Sequence, residues 1–392
     1  MEESEFYRGA RRDLTGPLDG VRVLDVTTVW SGPMATCVLA DLGADVVRVE
    51  LPGTTRALPG PCIPGTELSW MQQTVHRNKR SVALDLRTEA DREVVRRLAR
   101  EADVLVENFR PGTMAQWGLG YEDCAPANPG LVYVSVSGFG QFGGRGDLGG
   151  YDPVIQAACG FMALNGAADG PPVKAPTFLA DDLAALHAVI GALAALRHRD
   201  HTGEGQHVDV AMSDAMLSAT NGLLTLAATG VPVRRWGDET DPFVPANRYA
   251  CADGAVYLVV SLDRHWRRLA EAFGAPELAR ASGWATNAER RVNRDAVNSA
   301  VAGWFRARTT ADVLAVLAGA GLTGARVTGV DEVARDPHTW ARGMLQSTRL
   351  ADGTVAPLTG PAAKFSRTPT TIRAAAPPVG AHTAEVLAEV ER

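Results

Sequence analysis

Short β-branched runs alternate with helical patterns through the first third of the chain, and this alternation limits the architecture more than any other feature. Residues 20–26 read as a strand, 34–43 as a helix and 45–50 as a second strand. An extended run over 81–86, a charged helix over 88–102 and strands over 103–107 and 131–137 repeat the theme. Strands joined through helices pair in parallel, and right-handed crossovers cover both faces of the sheet. The pattern predicts an α/β fold with a doubly wound parallel sheet.

Residues 183–197, LAALHAVIGALAALR, are apolar on nearly every face, which predicts a helix buried in a core. A glycine-rich turn, a strand over 206–210 and another apolar helix running through Leu226 follow. Between 226 and 334 the pattern changes to a smaller α+β unit, with a strand over 255–260 and helices near 264–273, 290–306 and 311–320. It is placed as an insertion, so that 1–225 and 335–392 make up the large domain. The proline- and threonine-rich stretch 368–378 predicts an extended return across an existing surface.

Composition removes several classes. With 46% apolar and 21% charged residues the chain can bury a sizeable core. A net charge of -6 without a long basic run argues against nucleic acid as a partner. Five scattered cysteines with no C-x-x-C pair indicate neither a disulfide framework nor a zinc site. No N-terminal apolar segment and no run of eighteen apolar residues is present, so the expectation is a cytoplasmic protein without a membrane partner.

Ligands of such sheets bind beyond the carboxyl ends of the strands. The first such loop, TTVWSGPMA, lacks G-x-G-x-x-G, but Gly32 and Pro33 open the next helix with free backbone N–H groups that suit an anion, or simply make a strand-helix turn. Arg77-Asn78-Lys79-Arg80 and Asn108-Phe109-Arg110 offer cations for phosphates and a ring for a base, or a solvated basic face. Asp181-Asp182 precedes the apolar helix, where an aspartate serves either as an N-cap or as a nucleophile whose pKa the helix dipole lowers. His187 lies about 240° around the axis from Asp181 and forms no dyad with it. A lone carboxylate suits acyl transfer from a thioester, because it needs no base to attack.

These segments taken in order resemble class III CoA-transferases, the family of formyl-CoA transferase, carnitine CoA-transferase and α-methylacyl-CoA racemase. The resemblance rests on PLDGVRVLDVTTVWSGPMATCVLADLGADVVRVE, RNKRSVALDL, VLVENFRPGTMAQWGLGYE, GYDPVIQAACG and ADDLAALHAVIGALAALRHRDHTGEGQHVDVAM. It implies a Rossmann-like large domain with an inserted small domain, in an interlocked homodimer. It also implies transfer of CoA from an acyl-CoA donor to a carboxylic acid acceptor through an aspartyl anhydride and thioester, with CoA as substrate and no prosthetic group. Within it Asp181 is the nucleophile, and Val29, Trp30, Ser31, Lys79, Arg80, Asn108, Phe109 and Tyr151 line the CoA site. The alternative is an acyl-CoA racemase or isomerase. That branch uses a histidine where this chain has Tyr151, and a phenol, ordinarily titrating near 10, exchanges protons poorly at neutral pH.

Overall fold

β1 (Arg22–Val26), β2 (Asp45–Glu50), β3 (Lys79–Ala83), β4 (Val104–Glu107), β5 (Val132–Ser137) and β6 (Gln206–Ala211) form one sheet. All neighbours are parallel and the order is β3-β2-β1-β4-β5-β6. The computed structural model describes residues 2–53 and 60–391. Strand order reverses between β1 and β4, so the loops leaving these two strands diverge and open a crevice at their carboxyl ends. Side chains alternate between faces along each strand. Val23, Val104, Val106 and Val134 pack against the Ser31–Asp41 and Leu179–Thr202 helices, while Leu24, Leu105 and Tyr133 pack on the other side with Val95 and Ala99 of the Glu89–Glu101 helix. The doubly wound α/β expectation holds.

The apolar helix spans Leu179–Thr202 and is long and apolar enough to cross a membrane, but it packs on β5 and β6. A Cβ at Gly191 would lie 2.6 Å from Val208 Cγ1, so glycine sets the close approach of helix to sheet. The expectation of complete burial fails on the opposite face. There Leu186, Ile190 and Leu193 are 50%, 62% and 36% exposed, because none of the described residues covers them. The apolar helix expected to run through Leu226 is two, Met212–Ser218 and Leu223–Ala228, separated where Asn221 and Gly222 take left-handed φ of 52° and 83°.

The chain forms two compact units, one of Met1–Met162, Lys174–Val231 and Asp336–Arg392, the other of Ala163–Val173 and Pro232–Arg335. Ala163–Val173, read from sequence as part of the large domain, groups with the second unit, where Arg235 donates to the carbonyls of Ala167 and Ala163 at 2.8 and 3.1 Å. That unit has an antiparallel sheet of Ala246–Cys251, Gly254–Val259 and Gly324–Arg326. Its helices Asp263–Ala272, Arg294–Arg306 and Thr310–Gly319 close over a core that includes Trp266, Phe305 and Leu317.

The segment Arg77-Asn78-Lys79-Arg80 is structural. β3 begins at Lys79, two residues earlier than the sequence pattern suggests, so its first two side chains leave opposite faces of the sheet. Lys79 is fully buried and donates to Asp25 (2.8 Å), Thr36 Oγ1 (2.7 Å) and the Pro33 carbonyl (2.8 Å). Burial would push Asp25 up, but Lys79 and Arg48 more than offset it and hold the carboxyl below its ordinary range. Arg80 pairs with Asp45, Glu385 and Glu389 at 2.6, 2.9 and 2.8 Å, and Arg77 pairs with Asp41 at 2.6 Å. Asn78 accepts the N–H groups of Arg373 and Ala374 and so receives the extended return of the chain.

Removing one partner of a fully buried ion pair leaves an uncompensated charge, so Lys79→Met should cost about 3–5 kcal/mol. The double variant Asp25→Asn/Lys79→Met should recover part of that loss. The urea midpoints of the wild type and the two variants measure both effects.

Candidate active site

Asp181 is the third residue of the Leu179–Thr202 helix and not its cap. Capping falls instead to Asp152, whose Oδ1 accepts the Ala180 N–H at 2.7 Å. Asp152 is itself buried and held by Gln156, which donates to Oδ2 at 2.8 Å and accepts the Ala175 N–H at 2.8 Å. Asp182 accepts the Trp30 indole N–H at 2.8 Å. Asp181 is thereby left to face Ser31, whose hydroxyl and backbone N–H both act on its carboxylate.

Ser31 starts the helix after β1. A Cβ at Gly32 would lie 2.6 Å from the Thr27 side chain and 3.0 Å from that of Asn108, so this turn can be reached only with glycine. Asn108, just past β4, brackets Thr28 by accepting its N–H and donating to its carbonyl, each at 2.7 Å, and reaches Ser31 Oγ at 3.5 Å. The loops leaving the two central strands are thus tied to each other and to the carboxylate.

A cavity of about 250 Å³ opens on Asp181 and is lined also by Ser31, Asn108, Phe109, Arg110 and Tyr151. Arg110 is its one cationic lining residue among those described. Across Phe109, which borders both, a second cavity of about 220 Å³ runs over the ends of β1 to β3 between Thr28, Arg48, Leu84, Arg87 and Trp117. Phe109 stands edge-on to Trp117 at 5.1 Å between centroids.

Burial, with the charge of Asp152 added, pushes Asp181 up to about 7, against the hydrogen bonds from Ser31. The sequence expectation that the helix dipole lowers this pKa is overturned, because desolvation outweighs a dipole of partial charges. The consequence for chemistry is favourable. A more basic carboxylate is a stronger nucleophile, and near neutrality a large fraction remains ionised.

Several anticipated residues meet here. Ser31, Asn108, Phe109, Tyr151 and Asp181 share one cavity with the exposed Val29, which takes a left-handed φ of 66°. The Trp30 side chain does not line it, being packed with Met71 and Val75 behind the turn. Lys79 and Arg80 are excluded as phosphate ligands, the first by complete burial and the second by three carboxylates on its guanidinium. Sequence reasoning missed Asp152, though an Asp-Pro pair opening a short helix was a visible sign of a fixed carboxylate. It also missed Arg87 and Trp117, which only the parallel register brings beside Phe109.

The chain matches the model of CoA-transferase family III over residues 18–383. It is 35% identical over 383 residues to the succinate–glutarate CoA-transferase of Agrobacterium fabrum, covering 96% of each chain. It is 37% identical over 385 residues to the succinyl-CoA:mesaconate CoA-transferase of Haloarcula hispanica, covering 95% of this chain and 96% of that one. Among solved structures, a CaiB/BaiF family protein from Brucella suis superposes with a TM-score of 0.83 at 34% identity, covering 96% and 100% of the two chains. A Mycobacterium tuberculosis protein does so with a TM-score of 0.85 at 28% identity, covering 95% and 99%.

A carboxyl whose folded pKa is raised destabilises the fold once it ionises, so its cost develops as pH rises from about 4 to 7. Asp181→Asn should therefore stabilise the protein at pH 8 by on the order of 2–3 kcal/mol, with the gain vanishing near pH 4. Thermal unfolding across this pH range is the check.

Proposed function

The chain belongs to CoA-transferase family III and moves CoA between an acyl-CoA and a carboxylic acid, and we propose that Asp181 is the group on which CoA is carried. The observation that supports this reading is a buried carboxylate, relieved of capping by Asp152, that faces the Ser31 N–H and hydroxyl at the mouth of a cavity. Asp181 attacks the donor thioester carbonyl and expels the CoA thiolate, leaving a mixed anhydride. The thiolate then attacks the aspartyl carbonyl, releasing the donor carboxylate and forming an aspartyl-CoA thioester. An acceptor carboxylate reverses both steps and leaves as the new acyl-CoA. The Ser31 N–H, which acts on the Asp181 carboxylate, is a fixed donor for the tetrahedral oxyanions.

In this reading the thiol end of CoA enters the cavity on Asp181, passes Phe109, and lies with its nucleotide along the second cavity, where the exposed Arg87 suits phosphate and Trp117 suits a base. Val29 and Tyr151 flank the entrance, both exposed. Related proteins are named for succinyl-CoA with glutarate, mesaconate or D-citramalate. We extend the class to this chain as short dicarboxylic acids, with Arg110 available to the far carboxylate.

We also propose that a second copy of the chain covers Leu186, Ile190 and Leu193. Their spacing makes one apolar stripe on a helix whose other side carries the core. Ile190→Glu should convert a dimer to monomer or insoluble protein in light scattering. A wild type that is monomeric at micromolar concentration would remove the proposal.

Intact-mass spectrometry after incubation with succinyl-CoA and hydroxylamine tests the nucleophile. Wild type and Asp182→Ala should carry a hydroxamate at Asp181, and Asp181→Ala should carry none and lose at least about 10³-fold in turnover. Adduct on another residue, or turnover that survives in Asp181→Ala, sinks the assignment.

A further inference from the structure

Glu107 ends β4 on the sheet face away from the Leu179–Thr202 helix, and it is buried with no cation paired to it among the described residues. Its Oε2 accepts the Phe109 N–H at 2.8 Å, and the Ser135 side chain hydrogen-bonds the same carboxylate. Ser135 is also buried, with Oγ 2.9 Å from His207 Nε2. His207 stands exposed on β6 at the sheet edge, its ring stacked on Tyr121. A continuous hydrogen-bonded path therefore joins solvent to the carboxylate that holds Phe109. Downstream of it, Asn108 clamps Thr28 and touches Ser31, which meets Asp181.

We propose that Glu107 is a positioning residue for the acyl-CoA site, switched by a proton passed through His207 and Ser135: ionised, it holds the Asn108–Phe109 turn, and neutral, it loosens it. The proposal rests on the reading that acyl-CoA lies against Phe109. The proton balance closes without a co-reactant. His207 gains a proton on Nδ1 from water and gives its Nε2 proton to Ser135, whose hydroxyl proton passes to Glu107. Reversal returns it to water. An ionised acceptor makes a hydrogen bond about twice as strong as a neutral one, so the Phe109 N–H is held firmly only by the carboxylate.

The groups facing this path are Asp209 from β6, Tyr133 from β5, and Tyr121 and Glu122 from the short helix Tyr121–Cys124. Burial, with the charge of Asp209 added, pushes Glu107 up to about 7 against the hydrogen bonds from Ser135 and Phe109, so the switch works at neutrality. Because the folded carboxyl ionises as pH rises through that value, acyl-CoA binding should tighten with rising pH.

Asp181→Asn full-length protein, which lacks the nucleophile, isolates this effect from Asp181's own titration. Its Kd for acetyl-CoA should fall about 5-fold from pH 6 to 8. With Glu107→Gln added, the slope should flatten to whatever the ligand's own phosphate titration contributes. An unchanged slope in the double variant overturns the proposal. Should Glu107→Gln fail to fold, Ser135→Ala decides instead, because losing its donor must raise the midpoint of the slope, and an unmoved midpoint is equally fatal. Phe109→Ala keeps the two readings apart. If it leaves acetyl-CoA binding intact at every pH, the binding-site reading has failed; if it abolishes binding while the Glu107→Gln slope persists, only the switch has.

Discussion

Everything at the carboxyl end of this sheet depends on one ion pair sealed from water. Lys79 and Asp25 meet 2.8 Å apart with no exposed side-chain surface, and Thr27, Thr36 and the Pro33 carbonyl complete their hydrogen bonds. Such a pair contributes little net stability, since desolvation consumes most of the attraction. What it supplies is position. It locks β1, β3 and the start of the Ser31–Asp41 helix in one arrangement, and that helix start is what Asp181 faces. A hydrophobic pair of equal volume could fill the same space without specifying where Ser31 lies.

Three acidic side chains crowd the beginning of the Leu179–Thr202 helix, and geometry divides their work. Asp152 satisfies a helix N–H, Asp182 fixes Trp30, and Asp181 keeps its oxygens for the cavity. The division has an electrostatic result, because a dry setting, to which two neighbours of like charge add, makes Asp181 more basic than a surface aspartate. Positioning and activation come from the same crowding.

Local periodicity makes the sheet and its helices legible in the amino-acid order alone, and the block around Asp181 marks the carboxylate that faces the cavity. The basic quartet is not legible in the same way. Cationic side chains in sequence look alike whether they face solvent or an acid, and the deciding partners lie far off: Asp25 is 54 residues from Lys79, and Glu389 is 309 residues from Arg80. A two-residue error in where β3 begins is enough to read both as loop residues when they belong to a strand and point to its opposite faces. Asp152 is hidden for a related reason, since its role depends on a helix that starts 27 residues later, at Leu179.

The return of the chain to Asn78, Ser81 and Arg80 gives the order of synthesis a physical meaning. His382, whose ring accepts the Ser81 N–H and whose own N–H meets the Ser81 carbonyl, lies 301 residues further along the chain. On the ribosome, β3 is made long before the segment that shields its outer edge, and an open parallel edge invites pairing with other chains. The nascent protein therefore passes through an interval in which its largest sheet is assembled but unsealed. Escape from aggregation then depends on how quickly residues 373–382 follow β3, so that translation speed between the two becomes part of the folding problem.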